Sequence, residues 1–184
     1  MKALIFAAGL GTRLKPLTDN RPKALVEVYD EPLLAHVLRK LSQSGYTEVV
    51  INVHHFGEQI IDYVNQHPIE GMTIRISDER AELLDTGGGI RQAGNLFTND
   101  GRPFLIHNVD IFSNLDLKEF YTTHPTTEGA TLLVSERKTS RYLLFDPKDN
   151  RLVGWTNIQT GEVKSPYPNL RVEDCRMYAF AGMV

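Results

Sequence analysis

The chain has 184 residues, 41% of them hydrophobic, and a formal net charge of -3. That length and apolar content suit one compact domain with a sizeable core. The charge argues against a general nucleic-acid binder, so any phosphate the protein binds must be met locally. A single cysteine, Cys175, can form no internal disulfide, and no run reads as a signal peptide or a membrane span, so we expect a cytoplasmic protein with no membrane partner.

In chain order, "ALIFAAG" (3–9) is short, apolar and closed by glycine, as for a strand buried on both faces. A long connection follows from Gly9 to Glu31. "PLLAHVLRKLSQS" (32–44) sets Leu34, Val37, Leu38 and Leu41 on one helical face, with proline in its first turn and Gly45 past its end. "TEVVINV" (47–53) reads as a strand, "GEQIIDYVNQ" (57–66) as an amphipathic helix, "MTIRIS" (72–77) as a strand, and 88–96 as a further helix. "PFLIHNV" (103–109), "LDLKEFYTT" (115–123) and "ATLLVS" (130–135) continue the series. The fold expected is α/β: a Rossmann-like, mainly parallel sheet with helices on both faces. Beyond 140 the pieces "YLLF", "RLVGW" and "MYAFAGMV" are β-like, with no helix among them. They either extend the sheet or form a β-rich flap. The expected division is a nucleotide-binding core over 1–135 and a sugar-side β segment over 136–184 within a single domain.

The connection after the first strand carries the chemistry. Parallel sheets bind ligands beyond the carboxyl ends of their strands, where glycines let backbone N–H groups approach an anion. Gly9 and Gly11 fit that use, and Arg13 and Lys23 supply cations. A tight turn is the alternative for the two glycines alone. Leu14 stands where the dinucleotide fingerprint needs its third glycine, which weighs against a dehydrogenase, and no P-loop occurs. A second segment, "LLDTGGGIRQA", holds three consecutive glycines, costly in conformational entropy unless backbone must come close to a ligand. Its alternative is a flexible turn with Thr86 as a helix cap. Third, "FLIHNVDIF" ends a buried strand at Asp110, a carboxylate suited to holding Mg²⁺ against phosphate oxygens, or else the cap of a turn before Ser113. His107 and Cys175 lack zinc-ligand spacing. His54 and His55 are left between loop packing and ligand contact.

"GLGTRLKPLTDNRPKALVEV" closely resembles the signature of the sugar-1-phosphate nucleotidylyltransferases, G-x-G-x-R-L, then P-L-T, then P-K-x-L. Gly9, Gly11, Thr12, Arg13, Leu14, Pro16, Leu17, Thr18, Pro22, Lys23 and Leu25 all match. Within that family the chain is most similar to the short, single-domain N-acetylmuramate-1-phosphate uridylyltransferase type, which shares the "TGGG" form. The resemblance implies a nucleoside triphosphate over Ala8, Gly9, Gly11 and Thr12, with Arg13 on the β and γ phosphates and Lys23 close to the α-phosphate. It implies contacts to base and sugar from Gly87 and Gly88, with Glu82 as a further candidate, and Asp110 as a Mg²⁺ ligand. The partners implied are a nucleoside triphosphate and a sugar 1-phosphate. The products are a nucleotide sugar and pyrophosphate. A regulatory relative that binds nucleotide sugar without catalysis is the alternative, and homo-oligomerisation is left open.

The resemblance covers 1 to about 112 well and the remainder loosely. The V-E-K-P segment whose lysine grips the acceptor phosphate in many members is not met; Trp155, Thr156 and Asn157 stand near that position. Asp146, Asp149 and Asp174 lie in turn-like stretches, and the chain stops at Val184 while still apolar. The expectation is a piece of a longer enzyme by roughly sixty residues, with the second metal ligand beyond Val184.

Overall fold

A computed structural model describes residues 1–125, 127 and 129–184. The chain divides into two compact units, Met1–Gly129 and Ala130–Val184.

In the first unit, β1 (Lys2–Phe6) leads into a connection with two 3-10 turns, Thr12–Leu14 and Lys23–Leu25. A short ribbon, β2 (Glu27–Val28) and β3 (Glu31–Pro32), reverses at Tyr29 and Asp30, both at positive φ, the conformation a two-residue hairpin turn requires. Pro32 is therefore extended, and α1 (Leu33–Gln43) begins one residue later than the sequence pattern indicates. Gly45, at φ 84°, ends that helix, and the Tyr46 N–H returns to the Leu41 carbonyl. β4 (Glu48–Val53), α2 (Gly57–Gln66), β5 (Thr73–Asp78), α3 (Asp85–Gly94), β6 (Leu105–Asn108) and α4 (Leu117–Thr122) follow. Residues 115–123 resolve as α4, with the Asp116 carboxylate accepting from the Lys118 and Glu119 N–H groups.

The four strands form one parallel sheet in the order β5-β4-β1-β6. Crossovers through α1 and α2 advance from β1 towards β5, and the crossover through α3 returns past two strands to β6. Crossovers between parallel strands share one hand, so the reversal sets α3 on the face opposite α1 and α2. Side-chain alternation agrees. Leu4 and Val50 cluster with Ala93 and Ile90 of α3 and with Phe6 and Ile106. The intervening Ala3, Ile5, Val49, Ile51 and Val53 are also buried, on the other face. Leu34, Leu38, Leu41 and Ile60 are fully buried on α1 and α2, each stabilising the fold by about 1.5–3 kcal/mol. The α/β, Rossmann-like reading with helices on both faces holds.

The second unit is a separate antiparallel sheet. β7 (Val134–Ser135), β8 (Arg141–Phe145), β9 (Leu152–Asn157), β10 (Glu162–Lys164) and β11 (Arg176–Phe180) assemble in the order β10-β9-β8-β11-β7. Two expectations are corrected. "ATLLVS" does not continue the parallel series: only its last two residues form a strand, antiparallel to β11. The tail also contains one helical turn, Val172–Asp174, of 3-10 type. No helix among the described residues is long and apolar enough to cross a membrane.

Candidate functional site

The site is built from what leaves the carboxyl ends of the parallel strands. Ala7 and Ala8 continue β1 and are buried, and Gly9 and Leu10 then emerge into solvent. Gly11 takes φ 66°, a left-handed conformation that turns the chain sharply. A Cβ there would meet Thr18 Cγ2 at 3.0 Å and Lys23 Cβ at 3.3 Å. The loop is folded on itself: the Leu14 N–H donates to the Gly11 carbonyl at 2.9 Å, and the buried Thr18 hydroxyl donates to the same carbonyl at 2.9 Å. Thr18 of the P-L-T run thereby fixes the glycine turn from inside. Arg13 is exposed on this scaffold and makes no salt bridge among the described residues. Lys15 and Arg21 are also exposed, reaching Asp19 at 3.5 Å and Glu27 at 3.9 Å, a spacing worth little in water.

Lys23 opens the second 3-10 turn, anchored by the fully buried Ala24. Its ammonium pairs directly with Asp110 Oδ2, across 87 positions of sequence. Strand order explains this pair. β6 lies beside β1, the Val109 N–H donates to the Phe6 carbonyl at 3.2 Å, and so Asp110 leaves the sheet next to the loop that carries Lys23. The pair is partly exposed, with side-chain exposures of 19% and 36%, so a ligand can reach it. Lys40 on α1 donates to the Ser113 backbone carbonyl and to its hydroxyl, pinning the loop after Asp110. Burial holds that ammonium below the usual lysine range. Asp110 does not cap a turn at Ser113.

His107 is buried within the sheet, three residues before Asp110. It pairs in register with Ile5, is 1% exposed, and its Nδ1 lies 2.7 Å from the Asn108 carbonyl. Burial pushes its imidazole down to about 4, so it is a neutral core group near pH 7. His54 Nδ1 lies 2.7 Å from the Glu79 carbonyl, and the exposed His55 packs on Phe56. No three His, Cys, Asp or Glu side chains gather into a metal-holding group among the described residues.

The glycine-rich segment differs from the expected turn. Thr86, Gly87, Gly88 and Gly89 lie inside the first turns of α3, whose cap position is Leu84 with no side-chain cap, so Thr86 is not the cap. The three glycines have different reasons. A Cβ on Gly87 would meet nothing within 4 Å, leaving an open backbone surface suited to a ligand. A Cβ on Gly88 would meet the Leu84 Cβ at 2.8 Å. One on Gly89 would meet Glu79 Oε1 at 2.8 Å and Phe6 at 3.3 Å. Gly89, which the sequence offered no reason to separate from its neighbours, is thus a packing glycine. Gly89→Ala is expected to destabilise the fold by about 1–3 kcal/mol, overriding alanine's helix preference, while Gly87→Ala gains a few tenths. Thermal unfolding of the two variants checks this; equal stability would show that Glu79 yields freely. Glu82 is exposed, in a turn where its N–H donates to the Glu79 carbonyl at 3.1 Å.

A parallel sheet whose carboxyl edge carries a glycine-turned loop, an exposed arginine and a lysine–aspartate pair defines an α/β protein with cationic groups gathered beyond the ends of β1 and β6. The chain belongs to the nucleotidyl transferase family, whose model matches residues 2–151. The N-acetylmuramate alpha-1-phosphate uridylyltransferase of Neisseria meningitidis serogroup B is 43% identical over 123 residues, 67% of this chain and 52% of that protein. The mannose-1-phosphate guanyltransferase of Saccharomyces cerevisiae is 33% identical over 138 residues, 74% of this chain and 38% of that one. The chain spans about half the length, or less, of the curated relatives it matches. Among solved structures, HddC from Yersinia pseudotuberculosis, complexed with GMP-PN, superposes with TM-score 0.70 at 22% identity over 99% of this chain and 74% of its own. A UDP-glucose pyrophosphorylase from Acinetobacter baumanii does so with TM-score 0.70 at 17% identity, over 99% and 72%. These likenesses agree on the fold.

Proposed function

We propose that this chain carries the nucleotide-binding machinery of a sugar-1-phosphate nucleotidyltransferase. A phosphate oxygen of the sugar 1-phosphate attacks the α-phosphorus of a nucleoside triphosphate. The bond from that phosphorus to the bridging oxygen breaks, and pyrophosphate leaves with the electron pair. The observation that carries this reading is the Lys23–Asp110 pair, held beside the Gly11 turn at the ends of adjacent parallel strands. The nucleophile is already a phosphate, so no protein nucleophile is needed. Catalysis consists of aligning two anions and neutralising charge as the phosphorus becomes crowded. Lys23 is the cation for the α-phosphate, and Arg13, with its planar fork free, is the clamp for the leaving β and γ phosphates. Backbone of Ala8, Gly9, Gly11 and Thr12 lines the triphosphate, and Gly87 and Gly88, with Glu82 nearby in sequence, line the nucleoside.

The donor set suits Mg²⁺ in one way only. Asp110 Oδ2 is taken by Lys23 while Oδ1 has no partner among the described residues, so Asp110 would hold the ion through one carboxylate oxygen, alongside phosphate oxygens and water. When bound there, Mg²⁺ supplies charge neutralisation on the phosphates.

Pyrophosphate release measured across UTP, GTP, CTP and dTTP with a panel of sugar 1-phosphates tests the reading, alongside nucleotide titrations with and without Mg²⁺. Turnover with at least one pair is expected. A folded chain that binds none of the four triphosphates overturns the proposal, and one that binds nucleotide sugar equally well without metal and never turns over is a regulatory relative instead.

A further inference from the structure

Two buried polar side chains behind the glycine loops have no part in the chemistry above. Asn52 on β4 and Glu79 just past β5 are each 2% exposed. Asn52 lies in register with Phe6, on the face covered by α3. Its Oδ1 accepts from the Ala7 N–H at 2.7 Å and the Ala8 N–H at 3.2 Å, where β1 turns into the triphosphate loop. Its Nδ2 donates to Glu79 Oε1 at 2.9 Å. Glu79 Oε2 accepts from the Leu84 N–H at 3.2 Å, at the start of α3. Gly89 rests against the same carboxylate, with room for no side chain.

We propose that Asn52 and Glu79 are positioning residues that set the spacing between the two backbone walls of the nucleotide site, the Ala7–Ala8 end of β1 and the Leu84–Gly89 start of α3. The inference rests on the nucleotide-binding reading of those walls. Its physical basis is direction. Backbone N–H groups can only donate, so the relay begins and ends on donors, at Ala7 and Ala8 on one side and Leu84 on the other. Between two such ends an amide followed by a carboxylate pairs every atom, and so does a carboxylate followed by an amide. Two amides leave two donors facing each other, and two carboxylates leave two acceptors facing each other. Buried polar atoms left in that state lose a full hydrogen bond with no water to replace it.

The test is a polarity swap. Glu79→Gln keeps the size of the side chain and sets donor against donor; Asn52→Asp sets acceptor against acceptor. Each single variant is expected to weaken binding of UTP or GTP, whichever the wild type binds more tightly, by about tenfold or more. The double variant N52D/E79Q reverses the relay and pairs every atom again, so its affinity is expected within about threefold of wild type, a strong non-additivity. Amide hydrogen exchange at Ala7, Ala8 and Leu84 should rise together in both single variants and fall back in the double one. A merely structural pair would lower the melting temperature without changing the affinity of the folded protein. Single variants that bind as wild type, or a double variant that is the sum of the two losses, overturn the inference. If a single variant does not fold, recovery of folding and affinity in the double one decides in its favour, and no recovery decides against it. Should the wild type bind no triphosphate, the functional reading fails; exchange at the two walls then still judges the relay, coupled change supporting it and independent change overturning it.

Discussion

Replacing Lys23 by alanine is expected to lower the turnover number by about 10²–10³-fold while weakening triphosphate binding by less than about tenfold. The asymmetry follows from where the ammonium sits. In the free protein Lys23 is already paired with Asp110, so a ground-state triphosphate must compete for it. Its charge matters most when the α-phosphorus carries five oxygens and negative charge accumulates around it. Arg13→Ala is expected to act in the same direction through the leaving pyrophosphate. Lys15→Ala, whose side chain is exposed and only loosely paired with Asp19, should change turnover by less than about twofold. Single-turnover rates and nucleotide titrations on the three variants give the measurement. Mild, equal effects from all three would show a merely basic loop with no assigned roles.

The second large effect is at Asp110. Asp110→Asn should abolish the difference between triphosphate affinity measured with and without Mg²⁺ and reduce turnover by about 10²-fold or more, since the amide keeps the shape but not the charge. Stability should barely move. A partly exposed ion pair contributes only about 0–1 kcal/mol, so the variant's melting temperature is expected within a few degrees of wild type. That separation matters: a large activity loss in an equally stable protein assigns the carboxylate to the ligand and not to the fold. The variant also releases Lys23, and triphosphate binding in the absence of metal should strengthen slightly. Retained Mg²⁺-dependent binding in Asp110→Asn would remove the carboxylate from the metal site.

Much of this was legible in the sequence because it is local or periodic. The loop from Gly9 to Leu25 declares itself by glycines, prolines and cations at fixed spacing, and the structure folds it around the Gly11 carbonyl through Leu14 and Thr18, all within a few residues. The apolar strand runs and the stripe of Leu34, Val37, Leu38 and Leu41 encode burial through the periods of strand and helix. Those periods identify elements but do not say which strand pairs with which, or in which direction. "ATLLVS" therefore looked like one more parallel strand, whereas its end joins an antiparallel sheet through β11. The identical letters of Gly87, Gly88 and Gly89 could not reveal that one faces open space and another a buried carboxylate.

What the sequence by itself determined is the class of most elements in the first unit and the glycine- and proline-rich loop after the first strand, because both depend on neighbours along the chain. What only the tertiary structure decided is every contact that depends on strand order. The return crossover of α3 past two strands brings β6 beside β1 and thereby Asp110 to Lys23. The register of β4 against β1 places Asn52, one polar letter inside "VVINV", under the Ala7–Ala8 amides, and the turn after β5 delivers Glu79 to it from 27 residues away. Nothing in either local stretch marks them, since a buried amide and a buried carboxylate are stabilised only by partners that the folded sheet supplies.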